Sequence, residues 1–247
     1  MNSPDIGEQA ISKAAEIGLE SQLDKSEDVK VYLRANPLDL MQGKVQSVSV
    51  KGKGLVMKKE LRAEKIHIET GDIDINPIKA ALGDIELNSS SDARVLVVLK
   101  EEDIQRAFNS KYVIEKLKNL EIIYKGKPVK IEVNRVTFQL PEVGKINLKA
   151  DIKLIEQNQQ EQINFSAIPE VNSHGNSVKL NSIEYKNESE YNTEVAKAII
   201  DNAEEILDLR NFELEQMSMR IRRLDVKPGK LTMEADAVIE GFPDTKV

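Results

Sequence analysis

The sequence has no cysteine and no tryptophan, and only two histidines, His67 and His174, in 247 residues. Without cysteine there is no disulfide, no thiolate metal site and no thiol nucleophile. Two histidines do not make a multi-histidine metal site. Five Tyr and five Phe are too few for an aromatic core, so the interior must be built from Ile, Leu, Val and Ala. No run approaches the roughly 18 apolar residues of a membrane-spanning helix. Residues 1 to 25 lack an uninterrupted apolar segment, because Glu8, Lys13, Glu16 and Glu20 break it. They therefore read as no secretory signal. The location expected from this is cytoplasmic, or peripheral on the cytoplasmic membrane face, with the envelope the alternative if a leader was removed. The net charge of −7 weighs against nucleic-acid binding, which needs a basic field.

Catalytic motifs are missing as well. Gly52 and Gly54 lie inside a strand pattern and do not form a phosphate-binding loop. There is no Gly-x-Ser-x-Gly elbow. Asp72 and Asp74 share a strand face, but nothing marks them as an acid–base pair. The reading is that the chain is not an enzyme and carries no cofactor.

What is present is alternation. Val29, Val31 and Leu33 alternate with Lys30, Tyr32 and Arg34, as in a strand with one wet face. The run from Val45 to Val56 alternates too, with Gly52 and Gly54 on the apolar side, where missing side chains mark a bend, a bulge or a close approach. The next strand, Leu61 to Ile75, changes phase at Thr70-Gly71, which predicts a bulge. Asp92 to Leu99 is a strongly apolar strand leading into an acidic helix start at Glu101-Glu102-Asp103. A second, more basic helix spans Tyr112 to Leu120, and hairpins follow from Val129 to Tyr185. Their connections are too short for crossover helices, so the pairing is antiparallel. Helices are predicted over residues 3 to 25, where Ser3 caps and Pro4 opens, and from Asn192 to Asp208. Asn36-Pro37 with Gly43 and Asn76-Pro77 with Gly83 frame two similar helical turns. The chain ends in a strand from Met217, a Pro228-Gly229 turn and a strand from Leu231 to Ile239.

Three stretches resemble the LmeA-like phospholipid-binding family of bacteria: Val48 to Val56, the step Gly83-Asp84-Ile85-Glu86-Leu87, and Leu99-Lys100-Glu101-Glu102-Asp103-Ile104. Lys100 and Ile104 stand where the family usually has Thr and Leu, and the common Pro after the Leu87 region is absent. Gly7 to Ala10 and Leu23 to Asn36 look like cyanobacterial members. The resemblance implies a curved antiparallel sheet packed around a helix, as in tubular lipid-binding folds. It also implies phospholipid as the ligand, and it brings no catalytic residue.

Together these readings predict one α+β domain over 1–247, with 1–5 and 242–247 frayed. A long curved antiparallel sheet would wrap the N-terminal helix, with the C-terminal helix packed on it. The function predicted is non-enzymatic binding of phospholipid or another acyl-chain lipid, in transfer or membrane maintenance. The alternative is an interaction module with a filled core. Ile11, Leu19, Leu38, Leu40, Met41, Ile78, Leu82, Ile199, Met217 and Met219 are the candidate acyl-groove residues. Lys58, Lys59, Arg62, Lys111 and Lys116 are the candidate headgroup cations. The basic run from Lys111 to Lys130 reads first as a solvated face, and second as a contact with anionic headgroups. The partners expected are phospholipid and, peripherally, a membrane, with no nucleic acid.

Overall fold

A computed structural model of the chain describes residues 6–21, 23–57, 61–76, 87–118, 120–124, 127–186, 196–197, 200–201 and 217–240. Strands dominate, as the alternation requires. The first half runs α1 (Ile6–Ser21), β1 (Asp28–Arg34), α2 (Pro37–Met41), β2 (Lys44–Val45), β3 (Ser47–Met57), β4 (Leu61–Thr70), β5 (Ile73–Asp74) and β6 (Ser91–Lys100). Two short helices follow, α3 (Glu101–Phe108) and α4 (Lys111–Lys116). The second half runs β7 (Leu120–Tyr124), β8 (Lys127–Glu142), β9 (Lys145–Leu154), β10 (Gln159–Val171) and β11 (Val178–Tyr185), closing with β12 (Met217–Lys227) and β13 (Lys230–Ile239).

These strands form two main sheets. One has the order β1-β3-β4-β6-β13-β12, the other β11-β10-β9-β8-β7, and β2 with β5 makes a small ribbon. The strands pair antiparallel and include a sheet curled as a half-barrel. The sequence patterns predict one continuous sheet; the chain instead builds the first four strands of one, then all of the other, then returns. The return is the pairing of β6 with β13, which sets Val95 opposite Ala235. Alternation fixes which residues share a face, but it says nothing about which edges meet.

The predicted bulge at Thr70-Gly71 is a departure from the sheet. β4 ends at Thr70, Gly71 donates its N–H to the Asp92 carbonyl, and the chain leaves to pair Ile73 with Val45. Leu120, expected to end a helix, opens β7. The glycine reading holds as a close approach. A Cβ on Gly52 would collide with the Leu55 side chain, and Gly54 has φ +59 beside the Glu27 side chain.

Two helices are fastened to strand edges by polar side chains. In α1, Glu8, Ser12 and Glu16 accept the backbone N–H groups of Ala35, Leu33 and Val31 at 2.8, 3.2 and 3.1 Å. Four helical residues advance about 6 Å, and two strand residues advance about 6.7 Å, so the two repeats keep step. In α3, Glu101, Gln105 and Asn109 serve Leu140, Phe138 and Val136 of β8 in the same way. Each helix thus satisfies edge donors that would otherwise be open to another chain. Ile11, Ile17 and Leu19 of α1 are exposed. Of the C-terminal helix, residues 196–197 and 200–201 are described, with Ala196 and Ile200 buried in the larger core; the rest of that prediction lies outside the described residues.

Candidate functional site

The two sheets bury their apolar faces unequally. On β9, Ile146, Leu148, Ala150, Ile152 and Leu154 are all buried, against Phe138, Val136 and Val133 of β8 and Phe165 and Ile163 of β10. That interior is sealed. The six-stranded sheet differs. Its register lines up Gly52, Ile66, Val97, Met233 and Leu224 in one row across the strands. The next row holds Val50, Ile68, Val95, Ala235 and Ile221, and the third Thr70, Ala93, Ala237 and Met219. Directly opposed residues point to the same side, so this is one face. Ala93, Ala235 and Ala237 form its buried floor. Ile66, Ile68, Val97, Met219, Met233 and Leu224 are only half-buried. The result is an apolar wall with a low centre, partly accessible along its length, and suited to packing flexible hydrocarbon.

Near this face the charges are paired. Arg62 donates to Glu27 at 2.6 Å, Asp103 at 2.7 Å and Glu64 at 3.1 Å. Lys100 meets Glu64 at 3.0 Å, Lys53 meets Glu27 at 3.2 Å, and Arg106 meets Asp103 at 2.6 Å. The hydrogen bonds to Glu27 and Asp103 raise the Arg62 pKa above its ordinary range. Lys100, then Arg62, holds the Glu64 carboxyl below its ordinary value, and Arg62, then Lys53, does the same for Glu27. This network ties the β1 end, β3, β4 and α3 together. An open cleft of about 640 Å³ lies beside α3, lined by Glu102, Gln105, Arg106, Asn109, Asn134 and Arg135. Gln105 and Asn109 are already committed there to the β8 backbone.

The predicted site residues scatter. Met219 is on the apolar wall, packed with the alanine floor. Leu40 is half-buried on α2, whereas Leu38 and Met41 project from it. Ile11 and Leu19 are exposed on α1. Ile78, Leu82 and Ile199, with the Met217 side chain, lie outside the described residues, as do Lys58 and Lys59. Lys111 and Lys116 are exposed on α4. Arg62 is committed to three carboxylates. The wall residues Ile66, Val97, Met233 and Leu224 are absent from the predicted set. Their alternation was legible, but the β6–β13 pairing that joins them was not.

The geometry is that of a mainly antiparallel β protein with one sealed and one partly open apolar face. A model of the LmeA-like phospholipid-binding family matches residues 5–236, nearly the whole chain. The protein belongs to that family, which is one of lipid-binding proteins and not a known enzyme family. No curated protein and no solved structure matches the chain.

Proposed function

We propose that this protein binds a phospholipid without catalysis, with the acyl chains lying along the apolar face of the six-stranded sheet. The observation that carries this reading is the contrast between the two sheets. One apolar face is sealed; the other keeps Ile66, Val97, Met219 and Met233 half-buried. Each methylene taken from water contributes about 0.8 kcal/mol. Roughly ten methylenes therefore supply about 8 kcal/mol, which corresponds to micromolar affinity. Lys111 and Lys116 are the predicted headgroup cations that are exposed among the described residues. Arg62 serves the fold, since three carboxylates already occupy its donors. The protein works peripherally at a membrane, in lipid transfer or maintenance.

Native mass spectrometry of the purified chain, before and after incubation with phospholipid vesicles, tests this. Lipid-bound species are expected in at least the second spectrum. A chain that carries no lipid and extracts none rejects the reading in favour of an interaction module. The sealed five-stranded half is the part of the molecule that such a module would resemble.

A further inference from the structure

The α2 corner is built to hold apolar side chains outward. Pro37 opens the helix, and Asn36 caps it by accepting the Leu38 N–H at 3.1 Å. Gln42 and Gly43 return their N–H groups to the carbonyls of Asp39 and Leu40, and Gly43 has φ +82. Ile75 then donates to the Gly43 carbonyl, fixing the corner to the ribbon. On this small framework Leu40 is half-buried, while Leu38 is 69% and Met41 80% exposed. A single exposed leucine is ordinary. Two large apolar side chains at i and i+3, on one face of a capped turn, make a wedge.

The corner also carries two carboxylates, Asp39 within α2 and Asp74 opposite Lys44, but both are half-buried, and the exposed charges around the wedge agree with one occupant. Arg34 precedes the corner and Lys44 follows it; both are exposed, and neither forms an ion pair among the described residues. Tyr32, two residues before Arg34 on the same side of β1, is 54% exposed, with Lys51 Nζ 5.5 Å from its ring centre. Cations and a tyrosine around protruding Leu and Met match the layering of a bilayer surface, with headgroups outside and hydrocarbon beneath. A protein partner fits less well. Two side chains fall far short of the roughly 800 Å² per partner of a stable protein interface.

We propose that the α2 corner inserts Leu38 and Met41 into an anionic phospholipid bilayer, with Arg34 and Lys44 at the phosphate level. This makes it the edge by which the protein approaches the membrane that supplies its ligand. The inference deepens the lipid-binding reading and rests on it for its biological purpose, but not for its physics.

The chain has no cysteine, so Met41→Cys carries a single environment-sensitive dye. Vesicles of phosphatidylcholine and phosphatidylglycerol, with and without brominated lipid, are the probe. The expected result is a blue shift at position 41 and quenching by the brominated lipid. No such change is expected at Val143→Cys, an equally exposed apolar position on the β8–β9 turn. The unlabelled Leu38→Asp/Met41→Asp variant is expected to co-sediment with vesicles about tenfold less than wild type, since two apolar side chains no longer enter hydrocarbon. Its thermal unfolding and its uptake of monomeric short-chain phosphatidylcholine are expected to be unchanged. Raising the salt concentration is expected to reduce co-sedimentation of wild type several-fold. A dye at position 41 that stays in water while the protein sediments overturns the proposal, as does a double variant that sediments like wild type. A wild type that inserts position 41 but holds no lipid in native mass spectrometry supports the docking edge and rejects the lipid-binding reading. The two failures are thereby distinguishable.

Discussion

The Glu16 carboxylate accepts the backbone N–H of Val31 at 3.1 Å, and Lys13 Nζ donates to its other oxygen at 2.8 Å. Glu16 is buried although it is charged. Its position is explained by the edge strand: β1 has β3 on one side only, and the donors on its other side need acceptors. Replacing Glu16 by Ala leaves the Val31 N–H without its partner, at a cost of about 1–3 kcal/mol in unfolding free energy. Gln keeps an acceptor and is expected to recover much of that loss. Urea unfolding checks the magnitude. Hydrogen exchange at Val31 and Leu33 checks the location, since exchange should quicken there before it does in β9.

The same contacts set an acid limit. The Glu16 pKa is lowered, first by the Lys13 hydrogen bond and then by the Val31 N–H. Lys100 lowers Glu64, and Arg62 lowers Glu27. A group with a depressed folded pKa binds fewer protons when folded than when unfolded, so its stabilisation rises with pH through that window. Its contribution is fully present above the ordinary value of 4.5 and is lost as pH falls through the lower folded value. The urea midpoint is therefore expected to hold steady down to about pH 4.5, the ordinary value for these groups, and to fall between there and their lower folded values. In Glu16→Gln the drop should be shallower.

Arg62 gives a prediction that separates stability from headgroup binding. Arg62→Met leaves Asp103, whose side chain is 1% exposed, with Arg106 as its remaining cation. Breaking one arm of a buried ion network costs about 3 kcal/mol or more. Arg62→Lys is expected to recover only part of this, because one ammonium cannot reach three carboxylates in a planar fork. Chemical denaturation checks both variants. An Arg62→Met chain that unfolds like wild type but loses anionic lipid would return Arg62 to the headgroup site.

The two sheets should respond differently to core changes. Leu148→Ala in the sealed half is expected to cost about 2–5 kcal/mol, through lost burial and a residual cavity. Its lipid load should stay near that of wild type. Val97→Phe adds volume at a half-buried position of the wall. It is expected to cost about 1–3 kcal/mol of stability while lowering bound lipid several-fold in native mass spectrometry. Equal lipid loads in Val97→Phe and wild type would move the acyl site off this wall.

The alternating strands were legible in the sequence because a strand repeats every two residues, and Ile146 to Leu154 needed nothing more. So was the capped turn at Asn36-Pro37, where the cap and the left-handed Gly43 are local chemistry. The polar helix residues Glu8, Ser12 and Glu16 could have been noticed from their four-residue spacing. Without knowledge of β1 as an edge, they read as solvent-facing. Of the similar turn predicted at Asn76-Pro77, residues 77–83 lie outside the described residues.

The sequence alone determined the strand-rich class, the family and the absence of cysteine chemistry, since composition, period and short motifs are properties of neighbours along the chain. Tertiary structure decided that Val95 meets Ala235 across 140 residues, and that Arg62 is held by Glu27, Glu64 and Asp103. It also decided that one apolar face is sealed and the other is not. Those are matters of which edges pair and how much volume the opposing layer fills, and neither is encoded in the order of residues along a single strand.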